Sequence, residues 1–317
     1  MVERPQAPAD AGAEGSTRAA ERPQPLGPDE AKRVLFGSSV PAQASRCEGA
    51  PRERIACLIA ARYEGDPEAQ KLAGDLYSRF QIVVGQGEAE TMDGAYRGII
   101  RLVPTLPVGA DRKHLVWLHS AFDTIFRFFK GLEARAPGKK IRYRFSPLTV
   151  RFVRSLDGKR TPSGYASGWT YNYNVNGSLV TSAEAILNLA FHEIFHLNDF
   201  DPPEGTVGAP WSPGALGADV DRIVSRCGTR AACLQPFAPT DLKVRGGTYY
   251  AFQPGNRIVA EYAAELSTRY MDEHRGILGM APKKPAFKCG PKENAASWQA
   301  LVDTYFGGVD LVPPCPK

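Results

Sequence analysis

Two histidines and a glutamate stand close together past the middle of the chain, in the run His192-Glu193-Ile194-Phe195-His196. On a helix, side chains four positions apart lie on the same face, so both imidazoles can reach one metal ion. Glu193 projects about 100° away from His192 around the helix axis, so it is better placed to hold a water molecule on that ion than to bind the ion itself. The run therefore predicts a metal site and the hydrolytic chemistry of a metal-activated water.

A catalytic zinc site generally combines three protein ligands with one water molecule, so a third ligand is expected beyond His196. Glu261 and Glu265 are the best candidates, because they stand four residues apart and share one face of a predicted helix. One carboxylate would bind the metal, while the other would accept a hydrogen bond from a ligand histidine and fix its ring. Asp199 competes for the ligand role, but its place on the same helix as His196 suits a supporting role better. The alternative for the two glutamates is a solvated helix face.

The spacing of these residues resembles that of the gluzincin metallopeptidases, and it is most similar to the catalytic domain of the anthrax lethal factor type. The resemblance covers roughly residues 165 to 275. Two short patterns carry it, His192-Glu193-x-x-His196-x-x-Asp199 and Glu261-Tyr262-x-Ala264-Glu265. It implies three zinc ligands, which are His192, His196 and Glu261. It also implies that Glu193 is the general base and that Glu265 is a supporting carboxylate.

The activity that this resemblance implies is that of a zinc metalloendopeptidase acting on a protein or peptide substrate. Zinc lowers the pKa of a bound water to about 7 and polarises a carbonyl oxygen, and Glu193 then takes a proton from the zinc-bound water. The family places a tyrosine shortly before the third ligand, but this sequence has none at that spacing. Tyr249 and Tyr250, further upstream, are the candidates to stabilise the oxyanion. The alternative is a catalytically inactive zincin-like protein with a binding or structural role.

The residues before and within the motif predict that it lies on a buried helix. Thr181-Ser182-Ala183-Glu184 fits a capping box at the start of this helix. Apolar residues then recur at helical spacing, and they are Ile186, Leu187, Leu189, Ala190, Phe191 and Phe195. Upstream, large apolar residues alternate with Thr and Asn from Trp169 to Val175, which is typical of a β-strand. We expect this strand to be the sheet edge that holds an extended substrate.

The remaining sequence predicts an α+β fold. Helices are expected at 52–63, 67–80, 111–134 and 295–305, and strands at 82–84, 99–103 and 148–153. The helix over 111–134 has a stripe of large apolar residues that should belong to the core, namely Leu115, Leu118, Phe122, Phe126 and Phe129. The segment 201–217 is rich in Pro and Gly, contains Trp211 and is expected to be an irregular loop.

These elements predict a zincin-like metallopeptidase fold with a small mixed sheet, the HExxH helix and a mainly helical C-terminal part. Residues 1–28, rich in Ala and Pro, are expected to form a disordered arm. Residues 29–317 are expected to form the metallopeptidase-like domain, with 29–198 and 199–317 as its candidate lobes.

Six cysteines fall into three local groups. Sequence alone allows fifteen ways of pairing them, and our hypothesis joins near neighbours as Cys47 with Cys57, Cys227 with Cys233, and Cys289 with Cys315. Disulfides indicate an oxidising compartment, so we expect a secreted or periplasmic protein whose signal segment is absent from this chain. A cytoplasmic protein with reduced cysteines is the alternative.

The formal net charge is +5 over 317 residues, and the basic residues are dispersed. Nucleic acid is therefore not an expected partner. No apolar stretch approaches the ~18 to 20 residues that a membrane span requires, so no span is expected. His114, His119 and His274 have no partners at ligand spacing and are expected to be surface or structural residues. The oligomeric state is left open.

Overall fold

The computed structural model of the chain describes residues 25–94, 98–203, 208–244, 246–254 and 257–316. Residues 1–24, most of the predicted arm, lie outside the described residues. At the end of that arm, Leu26 packs against the hydrophobic core, and Pro28 is the first residue of a helix. The domain therefore includes these two residues as well as the segment from Asp29 onward.

The described residues form nine α-helices and six β-strands, which together make a mixed α and β fold. The helices are α1 Pro28–Phe36, α2 Pro51–Arg62, α3 Pro67–Phe80, α4 Arg112–Arg135, α5 Ala183–Phe200, α6 Trp211–Cys227, α7 Ala231–Leu234, α8 Ile258–Ile277 and α9 Lys292–Tyr305. The strands are β1 Ile82–Gln86, β2 Glu90–Asp93, β3 Ile99–Pro104, β4 Leu148–Ser155, β5 Gly164–Ser167 and β6 Thr170–Asn174. The expected α+β class and each expected helix and strand are present.

The sheet is mixed and is built around β4. One side of β4 pairs in parallel with β6, while the other side pairs in parallel with β1 along its first half and antiparallel with β3 at its end. The strand order is β2-β3-β4-β6-β5, with β1 beside β4. The sheet is curled, so that side chains from its first and last strands come into contact. The Tyr165 hydroxyl on β5 donates to Oε2 of Glu90 on β2, at 2.5 Å.

The expected edge strand is in fact an inner strand. β6 lies between β4 and β5, and β5 is the edge beside the motif helix. β5 has only four residues, mostly small, so it lacks the run of β-branched and aromatic residues that identifies a strand in a sequence. Gly168 and Trp169 both have positive φ values, 55° and 56°, which is the conformation of a tight hairpin turn between β5 and β6.

Three helices form the layer that contains the motif. α5 is packed against α4 on one side and against α8 on the other. The aromatic stripe on α4 is core as expected, since Phe122 and Phe129 are buried and Phe126 packs against the core. Because α5 is covered by both neighbours, even its polar residues Glu193 and Asn198 are buried.

The prediction of an irregular loop over 201–217 is wrong in its second half, because α6 begins at Trp211. Pro213 belongs to the first turn of α6. Backbone N–H groups in a first turn have no acceptor within the helix, so a proline there removes no helical hydrogen bond. The cap of this helix comes from a distant residue: both carboxylate oxygens of Asp199 accept hydrogen bonds from Ser212, at 2.7 Å each. A local reading of the sequence does not detect such a cap.

The start of α5 differs by one residue from the expected capping box. Ser182, not Thr181, is the N-cap, and its hydroxyl accepts the amide hydrogen of Ala185 at 3.1 Å. Glu184 instead pairs with Arg275 on α8, with N to O distances of 2.7 and 3.1 Å. The glutamate therefore ties α5 to α8 instead of capping its own helix.

The three expected disulfides are all present, and they join Cys47 to Cys57, Cys227 to Cys233, and Cys289 to Cys315. Such bonds persist in oxidising compartments, so they favour a location outside the cytoplasm. No helix in the described part of the chain has the length and apolar character needed to cross a bilayer.

Candidate metal centre

The candidate metal centre lies where α5 meets α8. His192 and His196, one turn apart on α5, face the first turn of α8, where Glu261 is the fourth residue. The ligand atoms that these three residues offer all lie within 4.8 Å of one another. The packing of two helices that are separate in sequence therefore assembles a group that could bind a metal ion.

The distances within this group match those around a small tetrahedral ion. The Nε2 atoms of His192 and His196 are 3.1 Å apart, and Oε2 of Glu261 lies 3.2 Å from the first and 3.6 Å from the second. Neighbouring ligand atoms of a tetrahedral zinc site with bonds of about 2.0 Å are separated by about 3.3 Å. Three electron-pair donors at this spacing repel one another unless a cation or a proton lies between them.

The carboxylate of Glu265 supports His192 from behind. Nδ1 of His192 lies 2.9 Å from Oε1 of Glu265, and the hydroxyl of Thr240 donates to the other carboxylate oxygen. When the Nδ1 proton is shared with Glu265, the neutral ring keeps the lone pair of Nε2 free to bind a metal. Glu261 thus lies with the two histidines in the candidate group, while Glu265 contacts the other nitrogen of the His192 ring.

The two carboxylates make this position favourable for positive charge. Burial by itself disfavours a charged imidazole, but hydrogen bonds to Glu261 and Glu265 raise the pKa of His192 well above its usual value. Burial likewise disfavours the charged form of Glu261, yet its hydrogen bonds with His192 and His196 hold its pKa well below the usual range. Protons on the histidines or a bound cation would satisfy the same electrostatic demand.

Glu193 lies beside the ligand group and lines a cavity of about 640 Å³. Its side chain is buried, and burial is the main reason that its pKa is raised; the nearby histidines oppose this effect. Gly164 of the edge strand packs against it, since a Cβ at that glycine would lie 3.3 Å from Cγ and from Oε1 of Glu193. A raised pKa makes this carboxylate a stronger proton acceptor than an ordinary glutamate.

The two candidate tyrosines take different positions. Tyr250 lines the cavity, and its ring centre lies 5.8 Å from that of His192. Burial, followed by the charges of Glu261 and Glu193, raises the pKa of Tyr250, so its hydroxyl keeps its proton and can donate. Tyr249 is buried and is not among the lining residues, and the ammonium group of Lys243 lies 5.0 Å from its ring centre.

Asp199 and the remaining histidines lie outside the ligand group. Asp199 is fully buried, and both of its carboxylate oxygens bind Ser212 at the start of α6. His114 contacts the hydroxyl of Tyr173. His119 pairs with Asp75, and His274 contacts the carbonyl of Tyr270. These contacts are structural, as expected for the three histidines.

Three further residues belong to the surroundings of the centre, although no motif indicates them. Thr240 binds Glu265, Gly164 packs on Glu193, and Asn188 lines the cavity one turn before His192. The first two come from segments that only the tertiary fold brings here. Asn188 could have been found from its spacing, because it stands four residues before His192 on the same predicted helix.

No protein-family model, no curated protein and no solved structure matches the chain. The resemblance to the gluzincin metallopeptidases therefore stays a prediction from the motif residues.

Proposed function

We propose that this protein is a zinc-dependent metallopeptidase whose metal is held by His192, His196 and Glu261. The single observation that supports the proposal most is the convergence of these three groups at the spacing of a tetrahedral zinc site, with Glu193 beside them in the cavity. Two imidazoles and one carboxylate form a ligand set typical of catalytic zinc, which keeps one coordination position for water or substrate.

The bound metal would supply an acidified water molecule and a Lewis acid for the substrate carbonyl. Glu193 is the residue that takes the proton as the water attacks and then delivers it to the leaving amine. Tyr250 offers a hydroxyl donor to the developing oxyanion from the same cavity. His192 is held in the required tautomer by Glu265, so its ring does not have to reorganise during the reaction.

The edge strand β5 offers a binding site for an extended peptide. The amide of Asn174 on β6 donates to the carbonyl of Ser163 at 3.1 Å. Hydrogen-bonded positions alternate in an antiparallel pair, so the backbone groups of Gly164 and Ala166 are directed away from β6. A substrate that adds a strand at this edge would pass Glu193, which packs against Gly164.

The test is the zinc content of the purified protein, together with cleavage of an unbiased peptide library with and without a chelator. We expect one tightly bound zinc, chelator-sensitive cleavage, and loss of both in His196→Ala. The matched control is His119→Ala, which removes a histidine that pairs with Asp75 on α3. Zinc without cleavage would favour the alternative of a zincin-like binding or structural protein, and a protein without zinc would refute the proposal.

A further inference from the structure

The hydroxyl of Tyr171 is a buried donor that has no hydrogen-bond partner among the described residues. Its ring belongs to β6 and is fully buried. Burial, followed by the nearby Tyr173 and Glu193, raises the pKa of Tyr171 well above its usual value, so the hydroxyl keeps its proton. A donor that has lost its water and gained no partner costs free energy of folding. Phenylalanine would fill the same space without that cost, so packing alone does not account for the hydroxyl.

The carboxylate of Glu193 is a nearby acceptor that is also without a partner. Burial and the charges of its neighbours account for its raised pKa, and no described residue donates a hydrogen bond to it. Glu193 lines the cavity, so its side chain borders open space on one side. A general base needs a fixed orientation, because a misplacement of about 1 Å can cost about 100-fold in rate. Glu193 therefore requires a group that holds its carboxylate.

Gly164 on β5 lies against both groups. A Cβ at Gly164 would lie 2.9 Å from Cε2 of Tyr171 and 3.3 Å from Oε1 of Glu193. Cε2 is bonded to the carbon that bears the hydroxyl, so the hydroxyl end of the ring is the end beside Gly164. Since glycine contributes no side chain here, the space that it leaves adjoins both the phenol and the carboxylate. The unpaired donor and the unpaired acceptor are thus neighbours around one backbone position.

We propose that Tyr171 positions Glu193 by donating a hydrogen bond to the carboxylate oxygen that does not take the proton of the attacking water. The inference rests on the proposed zinc-peptidase function and adds a positioning residue to it. The tyrosine ring is fixed by its burial, whereas the glutamate borders the cavity, so the carboxylate is the group that turns to make this bond. Its other oxygen then faces the cavity, and Tyr171 acts only through Glu193.

The experiment compares Tyr171→Phe with Tyr173→Phe in the zinc-loaded full chain. Both tyrosines are fully buried and lie two residues apart on β6, but the Tyr173 hydroxyl has a partner, Nδ1 of His114 at 3.0 Å. Tyr171→Phe should lower kcat about 10- to 100-fold and leave KM and zinc affinity unchanged. Tyr173→Phe should keep the wild-type kcat but lower the melting temperature, because His114 loses its buried partner.

A double-mutant cycle adds a readout that does not need turnover. Tyr171→Phe and Glu193→Ala each remove one side of the same hydrogen bond, so their shifts in the melting temperature of the zinc-loaded chain should not be additive. Tyr173→Phe and Glu193→Ala share no hydrogen bond, so their shifts should be additive. The same melting curves verify that each variant folds.

An unchanged kcat in Tyr171→Phe, or additive shifts in its cycle with Glu193→Ala, would overturn the inference. Zinc binding and cleavage by the wild type would still support the proposed function in that case. A wild type without zinc or without cleavage would refute the proposed function, and the inference with it.

Discussion

Nδ1 of His192 lies 2.9 Å from Oε1 of Glu265, and this contact joins the motif helix to α8, the helix that carries Glu261. Both residues are buried, and the second carboxylate oxygen of Glu265 is held by Thr240. The orientation of the His192 ring is therefore fixed by the packing of α5 on α8 before any metal binds. A residue that orients a ligand in this way commonly affects metal affinity strongly.

Replacement of Glu265 by alanine should weaken zinc binding about 10- to 100-fold, because His192 loses the partner that fixes its ring and tautomer. The zinc affinity of Glu265→Gln should lie between those of Glu265→Ala and the wild type, since the amide oxygen still accepts the Nδ1 proton but carries no charge. Competition with a fluorescent chelator measures the affinity. The exposed Glu64 provides the control as Glu64→Gln, and unchanged affinity in Glu265→Ala would contradict the assigned role.

Replacement of Glu193 by glutamine should keep zinc but lower kcat by about 10²- to 10⁴-fold, because the amide cannot take the proton from water. Glu193 is not one of the three converging ligand groups, so the zinc affinity should stay near that of the wild type. Zinc titration and peptide hydrolysis are measured on the same preparation. A fully active Glu193→Gln would remove this residue from the proposed mechanism.

Tyr250→Phe should lower kcat/KM by about 10²-fold or more, because one donor to the oxyanion is lost while the ring remains. The adjacent residue provides a matched control. Tyr249→Phe removes a hydroxyl from a buried ring that is not among the residues lining the cavity, so its kcat/KM should stay close to the wild-type value. Equal activity losses in the two variants would argue against a special role for Tyr250.

The candidate metal-binding group and the main elements could be predicted because their signals are local or periodic. The spacing of His192 and His196 places both imidazoles on one helix face, and the stripe on α4 marks a buried helix. The elements that were missed depend on distant partners. α6 is capped by Asp199, thirteen residues away, and the short strand β5 is stabilised by pairing with β6. No local pattern encodes either contact.

The same reasoning explains which parts of the site could not be predicted. Glu261 and Glu265 share one helix face in any interpretation of the sequence. The sequence does not show which of them contacts Nε2 of His192 and which contacts Nδ1. The positions of the two glutamates are set by the packing of α8 on α5. Which of Tyr249 and Tyr250 lines the cavity is likewise a tertiary relationship, and the structure shows Tyr250 there.

Acid should destabilise the protein partly through Asp66, the N-cap of α3. The amide of Gly109, the guanidinium of Arg112 and the amide of Ala69 all bind its carboxylate, and they lower its pKa to about 2. Because the pKa is lower in the folded than in the unfolded chain, this group stabilises the fold above its ordinary pKa of 3.8. The stabilisation is lost as the pH falls from about 4 to about 2.

Asp66→Asn should therefore lower the free energy of unfolding at pH 7 by about 1 to 2 kcal/mol. The difference from wild type should shrink as the pH falls toward 2, because the wild-type carboxyl becomes neutral as well. Urea unfolding at a series of pH values measures this difference in the free energy of unfolding. The control is Asp29→Asn, because Asp29 is exposed. A difference that stays constant with pH would show that charge on Asp66 is not its cause.

Gly164→Ala should impair catalysis through Glu193 without disturbing the ligands. The added Cβ would lie 2.9 Å from Cε2 of Tyr171, a fully buried ring, and 3.3 Å from Oε1 of Glu193. Since the tyrosine ring has no room to retreat, we expect the glutamate to move and kcat to fall about 10- to 100-fold. Overpacking at this edge should also cost about 1 to 3 kcal/mol of stability.

The same substitution at Gly74 on α3 is the control, because a Cβ there meets nothing within 4 Å and alanine favours a helix by up to about 1 kcal/mol. Zinc affinity should be unchanged in both variants, since Gly164 contacts the general base and not the ligand group. Zinc titration, thermal melting and peptide hydrolysis separate the effects on zinc affinity, on stability and on catalysis. If Gly164→Ala lost zinc while it retained its fold, the edge strand would be supporting the ligands as well as Glu193. If it kept full activity, the close packing of Gly164 on Glu193 would have no part in catalysis.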